Sequence, residues 1–390
     1  MPRIAHLITG LETGGAERML LRLVNGIDVD RFPSMIISIT GPEEVARELS
    51  KRGIPVRSLG IRRGLPDPRM VPRLARLLRD FRPDVLQTWL YHADLLGLAV
   101  RELGLVDRLV WNLRCSDIGG PTLIRGVLRR FSAAPNAVVV NSSAGQAFHS
   151  GIGYRPRRWV HIPNGFDTDA LAPSHGAREW ARSLLGIPTD AIAVLLPARH
   201  HPMKDHATFL AAAAQLSANR PDVQFVMMGK GNEPTNRALA QMIETHGLQS
   251  RVTLAGERDD LETLYPAFDI VTLSSAFGEG FPNVLGEAMS SGVPCVGTAV
   301  GDVAAIIGEA GRVVPPRDSA ALAAAWQQLV EMGPAERDAL GAAARCRIAR
   351  NWNIGSVVAQ YETLYEQLEA ETAGQRLGRA ARLAYRLAVR

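Results

Sequence analysis

The chain has 390 residues, of which 46% are hydrophobic and 21% charged, and these proportions are typical of a soluble globular protein with two domains. Its longest apolar runs are too short to span a membrane, and its first residues become glycine-rich too soon for a signal peptide. Three widely spaced cysteines, Cys115, Cys295 and Cys346, form neither a disulfide framework nor a metal-binding pattern, which predicts a cytosolic protein.

The net charge of +5 is distributed unevenly along the chain. Residues 1–180 contain 25 Lys and Arg against 17 Asp and Glu, whereas residues 181–371 contain 14 against 22. Residues 372–390 contain five arginines and no acidic residue. Such asymmetry indicates an anionic partner on one side, which leaves a membrane surface, a phosphorylated substrate and a nucleic acid as alternatives.

Short apolar runs alternate with amphipathic runs along the whole chain. In the first half the predicted strands cover residues 3–9, 35–40, 84–89, 108–113, 137–142 and 159–164. In the second half they cover residues 193–198, 223–229, 252–256, 269–274, 293–297 and 311–316. Continuous apolar strands separated by helices predict parallel sheets covered on both faces, and hence an α/β fold of two doubly wound domains with a cleft between them.

The domain boundary is predicted near residue 170, in a polar stretch that contains Pro and Gly. Residues 1–170 would form an N-terminal domain and residues 171–352 a C-terminal domain. We expect a helix over about 353–370 to pack back on the N-terminal domain, followed by a basic amphipathic tail over 372–390. Ligands of such sheets bind at the carboxyl ends of the strands, so the residues that follow strands are the candidates for function.

Gly14 and Gly15 lie between the first predicted strand and a helix. A glycine-rich turn of this kind presents backbone N–H groups and the positive end of a helix dipole to an anion. The turn lacks the complete motif of a P-loop or of a dinucleotide-binding fold, so a plain tight turn is an equal alternative.

Arg199 and Lys204 follow the first strand of the C-terminal domain. A guanidinium fork and an ammonium group together neutralise a diphosphate without a metal ion. The nearby His200, His201 and His206 raise a metal-site hypothesis, which we disfavour because adjacent histidines point apart and no carboxylate–histidine spacing typical of a metal site surrounds them. Arg258, two strands further on, is a candidate for contact with a nucleotide base, with a solvated loop as the alternative.

Residues 274–297 contain two glutamates, Glu279 and Glu287, with seven residues between them. Glu279 lies in a glycine-rich loop before a predicted helix that starts at Pro282, and Glu287 lies inside that helix. The free N–H groups at the helix start favour an anionic or oxygen-rich ligand. Spacing alone would equally fit a polar loop and a solvated glutamate.

Together these motifs resemble the retaining glycosyltransferases of family 4, which have the GT-B fold. The resemblance spans nearly the whole chain and rests on the order of four motifs, which are residues 14–17, residues 164–167, Arg199 with Lys204, and the pair Glu279 and Glu287. Within the family the chain looks most like bacterial enzymes that build surface polysaccharides.

The resemblance implies a role for each motif. Glu279 and the backbone after it would hold the hydroxyls of the donor sugar, and Glu287 would accept hydrogen bonds from the ribose of the nucleotide. Arg199 and Lys204 would bind the diphosphate, with Gly15 approaching from the other domain. The residues implied in donor binding beside these are Gly14, Gly280, Phe281, Pro282 (which shapes the loop), Asn283 and Val284.

One stretch departs from the family pattern. Many members have a histidine after a strand of the N-terminal domain, near the donor sugar, whereas this chain has Arg114, Cys115 and Ser116. His92, after the preceding strand, is the catalytic candidate that remains, with a core or capping role as its alternative. The identity of an acid or base catalyst is therefore left open.

The sequence therefore predicts a cytosolic glycosyltransferase that uses a nucleotide-diphosphate sugar, needs no cofactor or metal ion, and binds no nucleic acid. The acceptor would be a sugar or a lipid-linked molecule bound by the N-terminal domain. A sugar-nucleotide epimerase on the same scaffold and a catalytically silent binding partner are the alternatives. The basic amphipathic stretches 67–82 and 374–390 also predict attachment to an anionic membrane surface, although core packing is the preferred interpretation of residues 69–82.

Overall fold

The computed structural model of the chain describes residues 1–11, 14–41, 49, 53–61, 67–114, 122–173 and 175–388. The side chains of residues 122, 175 and 372–388 lie outside this description. Within it the chain forms one parallel sheet of seven strands and another of six, which confirms the predicted fold class.

The N-terminal sheet has the strand order β3-β2-β1-β4-β5-β6-β7. Its strands are β1 Ile4–Ile8, β2 Ser34–Ser38, β3 Val56–Ser58, β4 Val85–Trp89, β5 Leu109–Leu113, β6 Ala137–Val140 and β7 Trp159–His161. Its helices are α1 Gly15–Gly26, α2 Met70–Phe81, α3 Tyr91–Glu102, α4 Thr122–Arg130 and α5 Ser143–Gly151. Most of these strands are entirely buried, as expected of a sheet covered on both faces.

The C-terminal sheet has the strand order β10-β9-β8-β11-β12-β13. Its strands are β8 Ile192–Pro197, β9 Val223–Met228, β10 Val252–Gly256, β11 Ile270–Leu273, β12 Cys295–Thr298 and β13 Gly311–Val314. The helices around it are α6 His175–Leu185, α7 His206–Ser217, α8 Arg237–Thr245, α9 Leu261–Leu264, α10 Asn283–Ser290, α11 Val303–Ile307, α12 Ser319–Glu331 and α13 Pro334–Asn351. Short 3-10 turns cover Pro202–Lys204 and Tyr265–Ala267.

Strand order reverses beside the first strand of each sheet. In the N-terminal domain β1 pairs with β2 on one side and β4 on the other, and in the C-terminal domain β8 pairs with β9 and β11. A crevice forms at such a switch point because the connections leave it in opposite directions. The loops after β1, β8 and β11 therefore border the same region between the domains.

The last helix, α14 (Ile354–Ala388), crosses from the C-terminal domain to the N-terminal one. Its apolar stripe enters the N-terminal core, where Tyr361 and Tyr365 are fully buried. The Tyr365 hydroxyl donates to Gln87 Oε1 (2.5 Å), and Asn112 Nδ2 donates to the Tyr361 hydroxyl (3.1 Å). The backbone of the tail 372–388 continues this helix, so the tail is attached to the N-terminal domain through α14.

Helix α2 contains most of the basic stretch 67–82. Leu74 and Leu78 are buried in the N-terminal core, and Leu77 and Phe81 pack against it. Its apolar stripe is therefore occupied by the protein, so the membrane interpretation of this stretch is wrong and the preferred core packing is confirmed. Within the described residues, no helix combines the length and the low charge that crossing a bilayer requires.

Gly286 lies where α10 packs closely on Phe166, in the segment that connects the two domains. A Cβ atom added there would lie 2.1 Å from Cζ of Phe166, whose ring stacks on that of Phe281. We expect Gly286→Ala to lower the free energy of unfolding by about 1–3 kcal/mol, because the added methyl group overpacks a filled core. Chemical denaturation of the purified chain measures this loss.

Gly176→Ala is the matched control for that substitution. Gly176 also lies in a helix, but an added Cβ would meet no atom within 4 Å. Alanine is the better helix former by about 1 kcal/mol, so this variant should be as stable as the parent or more so. Equal stability of both alanine variants would contradict the packing described for Gly286.

Candidate active site

Glu279 and Lys204 meet at the carboxyl edge of the C-terminal sheet. Lys204 closes the 3-10 turn after β8, and its Nζ lies 2.5 Å from Glu279 Oε1 in the loop after β11. Ser275 Oγ donates to the same carboxylate oxygen (2.5 Å), while Ser274 Oγ donates to the backbone oxygen of Lys204 (2.7 Å). Glu279 is only 7% exposed, so this ion pair is shielded from water and held by two adjacent serines.

The loop around Glu279 has a backbone that suits a close approach. Gly278 has φ +80°, a left-handed value that glycine adopts without strain. Gly301 packs against this loop from the turn after β12, since an added Cβ would lie 2.4 Å from the Glu279 backbone oxygen. Helix α10 begins at Asn283, with Pro282 flanking it, so the predicted start at Pro282 is off by one residue.

The N-terminus of α10 faces the N-terminus of α1 across the cleft. Asn283 Nδ2 donates to the Gly15 backbone oxygen (3.2 Å), and Gly14 is the residue before α1. Asn164, after β7, donates from Nδ2 to Asn283 Oδ1 (2.6 Å) and to the Phe281 backbone oxygen (3.2 Å). Two helix N-termini and the loop that contains Glu279 and Phe281 therefore converge, and partial positive charge from both helices meets there.

Glu287 is almost fully buried, with 1% exposure, and both of its carboxylate oxygens have partners. Arg22 Nη2, from α1 in the other domain, donates to Oε1 (2.7 Å), and the Tyr265 hydroxyl donates to Oε2 (3.0 Å). Arg18 Nη1 lies 3.8 Å from the same Oε1. Burial and the neighbouring Glu287 carboxylate raise the pKa of Tyr265 well above its usual value, so the hydroxyl stays a donor.

Arg22 connects this pair to a second carboxylate. Its Nη2 also donates to Glu262 Oε1 (2.8 Å), and Arg18 Nη1 donates to the same oxygen (3.2 Å). Burial alone would lower the pKa of Arg22, but Glu287 and Glu262 raise it overall. Two arginines of the N-terminal domain thus hold two glutamates of the C-terminal domain on one side of the cleft.

A second contact between the domains involves Asp302, which precedes α11. Its Oδ2 accepts from the Ser143 backbone N–H (2.8 Å), and its Oδ1 accepts from the Ala144 N–H (3.0 Å). These N–H groups belong to the first turn of α5, where a carboxylate is favoured by the helix dipole. The sequence interpretation missed Asp302, Arg22 and Tyr265, because each acts through a partner that lies outside its own motif in the sequence.

The remaining candidates make no described contact across the cleft. Arg199 has an exposed side chain after β8, and His92 is exposed in the first turn of α3, which excludes a core role for it. Although the residue is exposed, neighbouring atoms exclude water from part of its ring, and this desolvation lowers the pKa of His92. Arg258 forms a two-point ion pair with Asp260 in its own loop (2.8 and 2.6 Å), so it would have to leave that pair to contact a base.

The three histidines after β8 have protein partners. His201 Nδ1 accepts from the Met203 N–H (3.2 Å), His206 Nε2 lies 3.1 Å from Asn232 Oδ1, and Asn236 Nδ2 lies 3.3 Å from His200 Nδ1. Burial lowers the pKa of His206 to about 4. In the described parts of the chain, no three His, Cys, Asp or Glu side chains converge as a metal ion would require.

Two parallel-sheet domains whose carboxyl edges face one cleft form the GT-B fold. Residues 13–170 match the family described as Glycosyltransferase Family 4, and residues 191–332 match the one described as Glycosyl transferases group 1. The two matches lie one in each half of the chain. The chain therefore belongs to family 4 of the glycosyltransferases.

The chain is similar to bacterial proteins of this family. A Bacillus subtilis (strain 168) protein with the provisional name glycosyltransferase EpsF is 28% identical over 75% of this chain and 78% of its own length. The phosphatidyl-myo-inositol mannosyltransferase of Mycobacterium leprae (strain TN) is also 28% identical, over 75% of this chain and 79% of its own. The crystal structure of Anabaena Alr3699/HepE in complex with UDP-glucose has a TM-score of 0.79 at 22% identity, covering 94% of this chain and all of that one.

Proposed function

We propose that the chain transfers a sugar from a nucleotide-diphosphate donor to an acceptor hydroxyl with retention of anomeric configuration. The observation that carries this proposal is the shielded pair of Lys204 and Glu279 beside the N-terminus of α10. Glu279 accepts hydrogen bonds from the sugar hydroxyls, and Lys204 turns from Glu279 toward the diphosphate when the donor enters. Because charge grows on the diphosphate as the glycosidic bond breaks, preorganised cations stabilise the transition state most.

The diphosphate is neutralised by protein groups alone in this proposal. Arg199 and Lys204 supply two positive charges from the loop after β8, and the first turns of α10 and α1 supply backbone N–H dipoles. The exposed Arg199 side chain is free to fold onto a phosphate without breaking a buried contact. His92 is a further catalytic candidate, and Arg258 a further donor-binding one.

Glu287 binds the ribose of the nucleotide. Each of its oxygens accepts one hydrogen bond from the protein and has a second lone pair for a ribose hydroxyl. Because the residue is only 1% exposed, the ribose reaches it only when the two domains move apart and the contact with Arg22 loosens. Donor binding is therefore coupled to opening of the cleft.

The acceptor binds the N-terminal domain and is a sugar or a lipid-linked molecule of surface polysaccharide or glycolipid assembly. The mannosyltransferase of Mycobacterium leprae, by its name, acts on phosphatidyl-myo-inositol, a phosphorylated lipid. The excess of basic residues in the N-terminal half supports an acceptor with negative charge.

A screen of UDP-, GDP- and ADP-sugars tests this function. Thermal unfolding should shift upward with one nucleotide family, because a bound ligand stabilises the folded state. Chromatography should then show release of the nucleoside diphosphate only when an acceptor is present. Conversion of the donor to an epimeric nucleotide sugar without acceptor would instead support the epimerase alternative, and binding without any turnover would support a silent partner.

The activity should persist in EDTA. Arg199, Lys204 and the two helix N-termini supply the charge that a divalent ion supplies in other transferases, so the rate should change less than about twofold. The measurement is nucleoside diphosphate release with and without chelator, after dialysis to remove metal ions. Complete inactivation that added Mg²⁺ or Mn²⁺ reverses would contradict the proposed diphosphate site.

The tail 372–390 attaches the enzyme to the anionic inner face of the cytoplasmic membrane in this proposal. Its five arginines without an acid favour an anionic bilayer by about 1 kcal/mol for each cation near the surface. The full chain should sediment with vesicles of anionic phospholipid, less so at higher salt, and not with neutral vesicles. A chain that ends at Thr372 should lose most of this binding, and no sedimentation of the full chain at low salt would contradict the proposal.

A further inference from the structure

Arg114 directly follows β5 at the carboxyl edge of the N-terminal sheet, and neutral groups hold its guanidinium. Its Nε donates to Asn112 Oδ1 (2.7 Å), Nη1 donates to Asn164 Oδ1 (2.5 Å), and Nη2 donates to the hydroxyl of Tyr361. The guanidinium carbon lies 5.1 Å from the centroid of the Trp89 ring. Three hydrogen bonds and an aromatic surface therefore fix the orientation of this cation.

The guanidinium lacks a counter-ion in its described surroundings. Among the residues described here, no carboxylate oxygen lies within 4.0 Å of it. Burial lowers the pKa of Arg114, and the groups that act against this are the hydroxyls of Tyr361 and Tyr365 rather than an acid. A cation withdrawn from water without an opposite charge is costly, and a bound anion would offset that cost.

Arg114 lies close to the proposed position of the transferred sugar. One amide side chain, that of Asn164, accepts from Arg114 and donates to both the Phe281 backbone oxygen and Asn283 Oδ1. The guanidinium is therefore one side chain away from the loop that holds the donor sugar in the proposed function. An exposed arginine elsewhere on the surface would have no such relation to the reaction.

We propose that Arg114 forms an anion subsite next to the transferred sugar, where it binds a phosphate or carboxylate group of a substrate. The guanidinium has five N–H groups, of which three donate to Asn112, Asn164 and Tyr361, so one on Nη1 and one on Nη2 remain for the anion. The anion belongs to the acceptor, as a phosphate beside the accepting sugar, or to the donor, as a uronate. The location of this subsite rests on the proposed function, whereas its anion affinity is independent of it.

Titration with inorganic phosphate at constant ionic strength tests the affinity. The full chain, saturated with UDP to fill the diphosphate site, should bind phosphate, and Arg114→Gln should weaken this binding about 10- to 100-fold. Arg114→Lys keeps the charge and should be intermediate, and Arg31→Gln, at an exposed arginine paired with Glu366, should bind as the parent does. Absence of phosphate binding, or equal binding by the parent and Arg114→Gln, would overturn the proposal.

Calorimetric binding experiments with four ligands decide whether the anion belongs to the acceptor or to the donor. N-acetylglucosamine 1-phosphate and N-acetylglucosamine represent a charged and a neutral acceptor, and UDP-glucuronic acid and UDP-glucose represent the two kinds of donor. Arg114→Gln should weaken binding of only one charged ligand, and that ligand identifies the source. Equal weakening for charged and neutral ligands would assign Arg114 a purely structural role.

Failure of the proposed function and failure of the anion subsite give different results. If the chain does not bind UDP, the proposed function is contradicted. The phosphate titration can then be run without UDP, and the difference between the parent and Arg114→Gln still tests the anion affinity of Arg114. Thermal unfolding of Arg114→Gln and Arg114→Lys shows whether the contacts to Asn112, Asn164 and Tyr361 are needed for stability. If Arg114→Gln is too unstable to titrate, Arg114→Lys still tests the subsite, because it keeps the positive charge but loses the two-point geometry of the guanidinium.

Discussion

Replacement of Lys204 by alanine is expected to lower kcat about 10²- to 10³-fold, with a smaller loss of donor affinity. The removed ammonium group neutralises the departing diphosphate in the proposed reaction, and an interaction that strengthens in the transition state is lost mainly from kcat. Lys204 Nζ also lies 2.5 Å from Glu279 Oε1, so the substitution leaves that carboxylate without this cation. Steady-state kinetics with varied donor separate kcat from KM.

Lys230 offers the matched control for this substitution. It is an exposed lysine in the loop after β9, and Lys230→Ala removes the same side chain without touching the Glu279 pair. Its kcat should stay close to that of the parent. Near-normal turnover of Lys204→Ala would remove Lys204 from the mechanism, and an equal loss in both variants would point to a general effect of charge.

Glu287→Gln should weaken binding of the free nucleoside diphosphate about 10- to 100-fold. The amide keeps the size of the side chain but replaces one acceptor oxygen by a donor, and it removes the charge that orients Arg22 and the ribose hydroxyls. Folding stability should also fall, because Arg22 keeps Glu262 but loses a buried partner. Isothermal titration and chemical denaturation measure the two effects.

Glu279→Gln is the counterpart of that variant. Its carboxylate contacts the sugar in the proposed function, so free nucleoside diphosphate should bind almost normally while transfer and discrimination between sugars are impaired. The two glutamates come from one motif, and the proposed function assigns them to different parts of the donor. Equal loss of nucleoside diphosphate affinity in both variants would contradict the assigned roles.

The sequence predicted the fold because apolar continuity along a strand depends on its immediate neighbours. Within the described residues, twelve of the thirteen strands coincide with predicted apolar runs, and the missing one, β3, contains Arg57 and Ser58 and so has no apolar run to recognise. The same rule predicted that residues after strands would collect in one cleft. Lys204, Glu279, Gly15 and Asn283 are brought together there as a consequence of strand order.

Contacts between the domains were not predictable in this way. Arg22 and Glu287 are 265 residues apart, and nothing in the local pattern around either residue indicates the other. The contact between Asp302 and the start of α5 joins residues 159 apart in the chain and was unpredictable for the same reason. The amphipathic pattern of α2 likewise fits both a core helix, which was the preferred interpretation, and a helix on a membrane surface, and the packing of Leu74 and Leu78 decides for the core.

The anomeric proton of the first product reports directly whether the chain transfers a sugar with retention from a nucleotide-diphosphate donor. Proton NMR should follow the reaction of an α-linked donor, chosen from the thermal-shift screen, with its acceptor in the presence of EDTA. We expect an α-linked product that forms at the rate at which the nucleoside diphosphate is released. A β-linked first product, or an epimerised donor with no transfer, would contradict it.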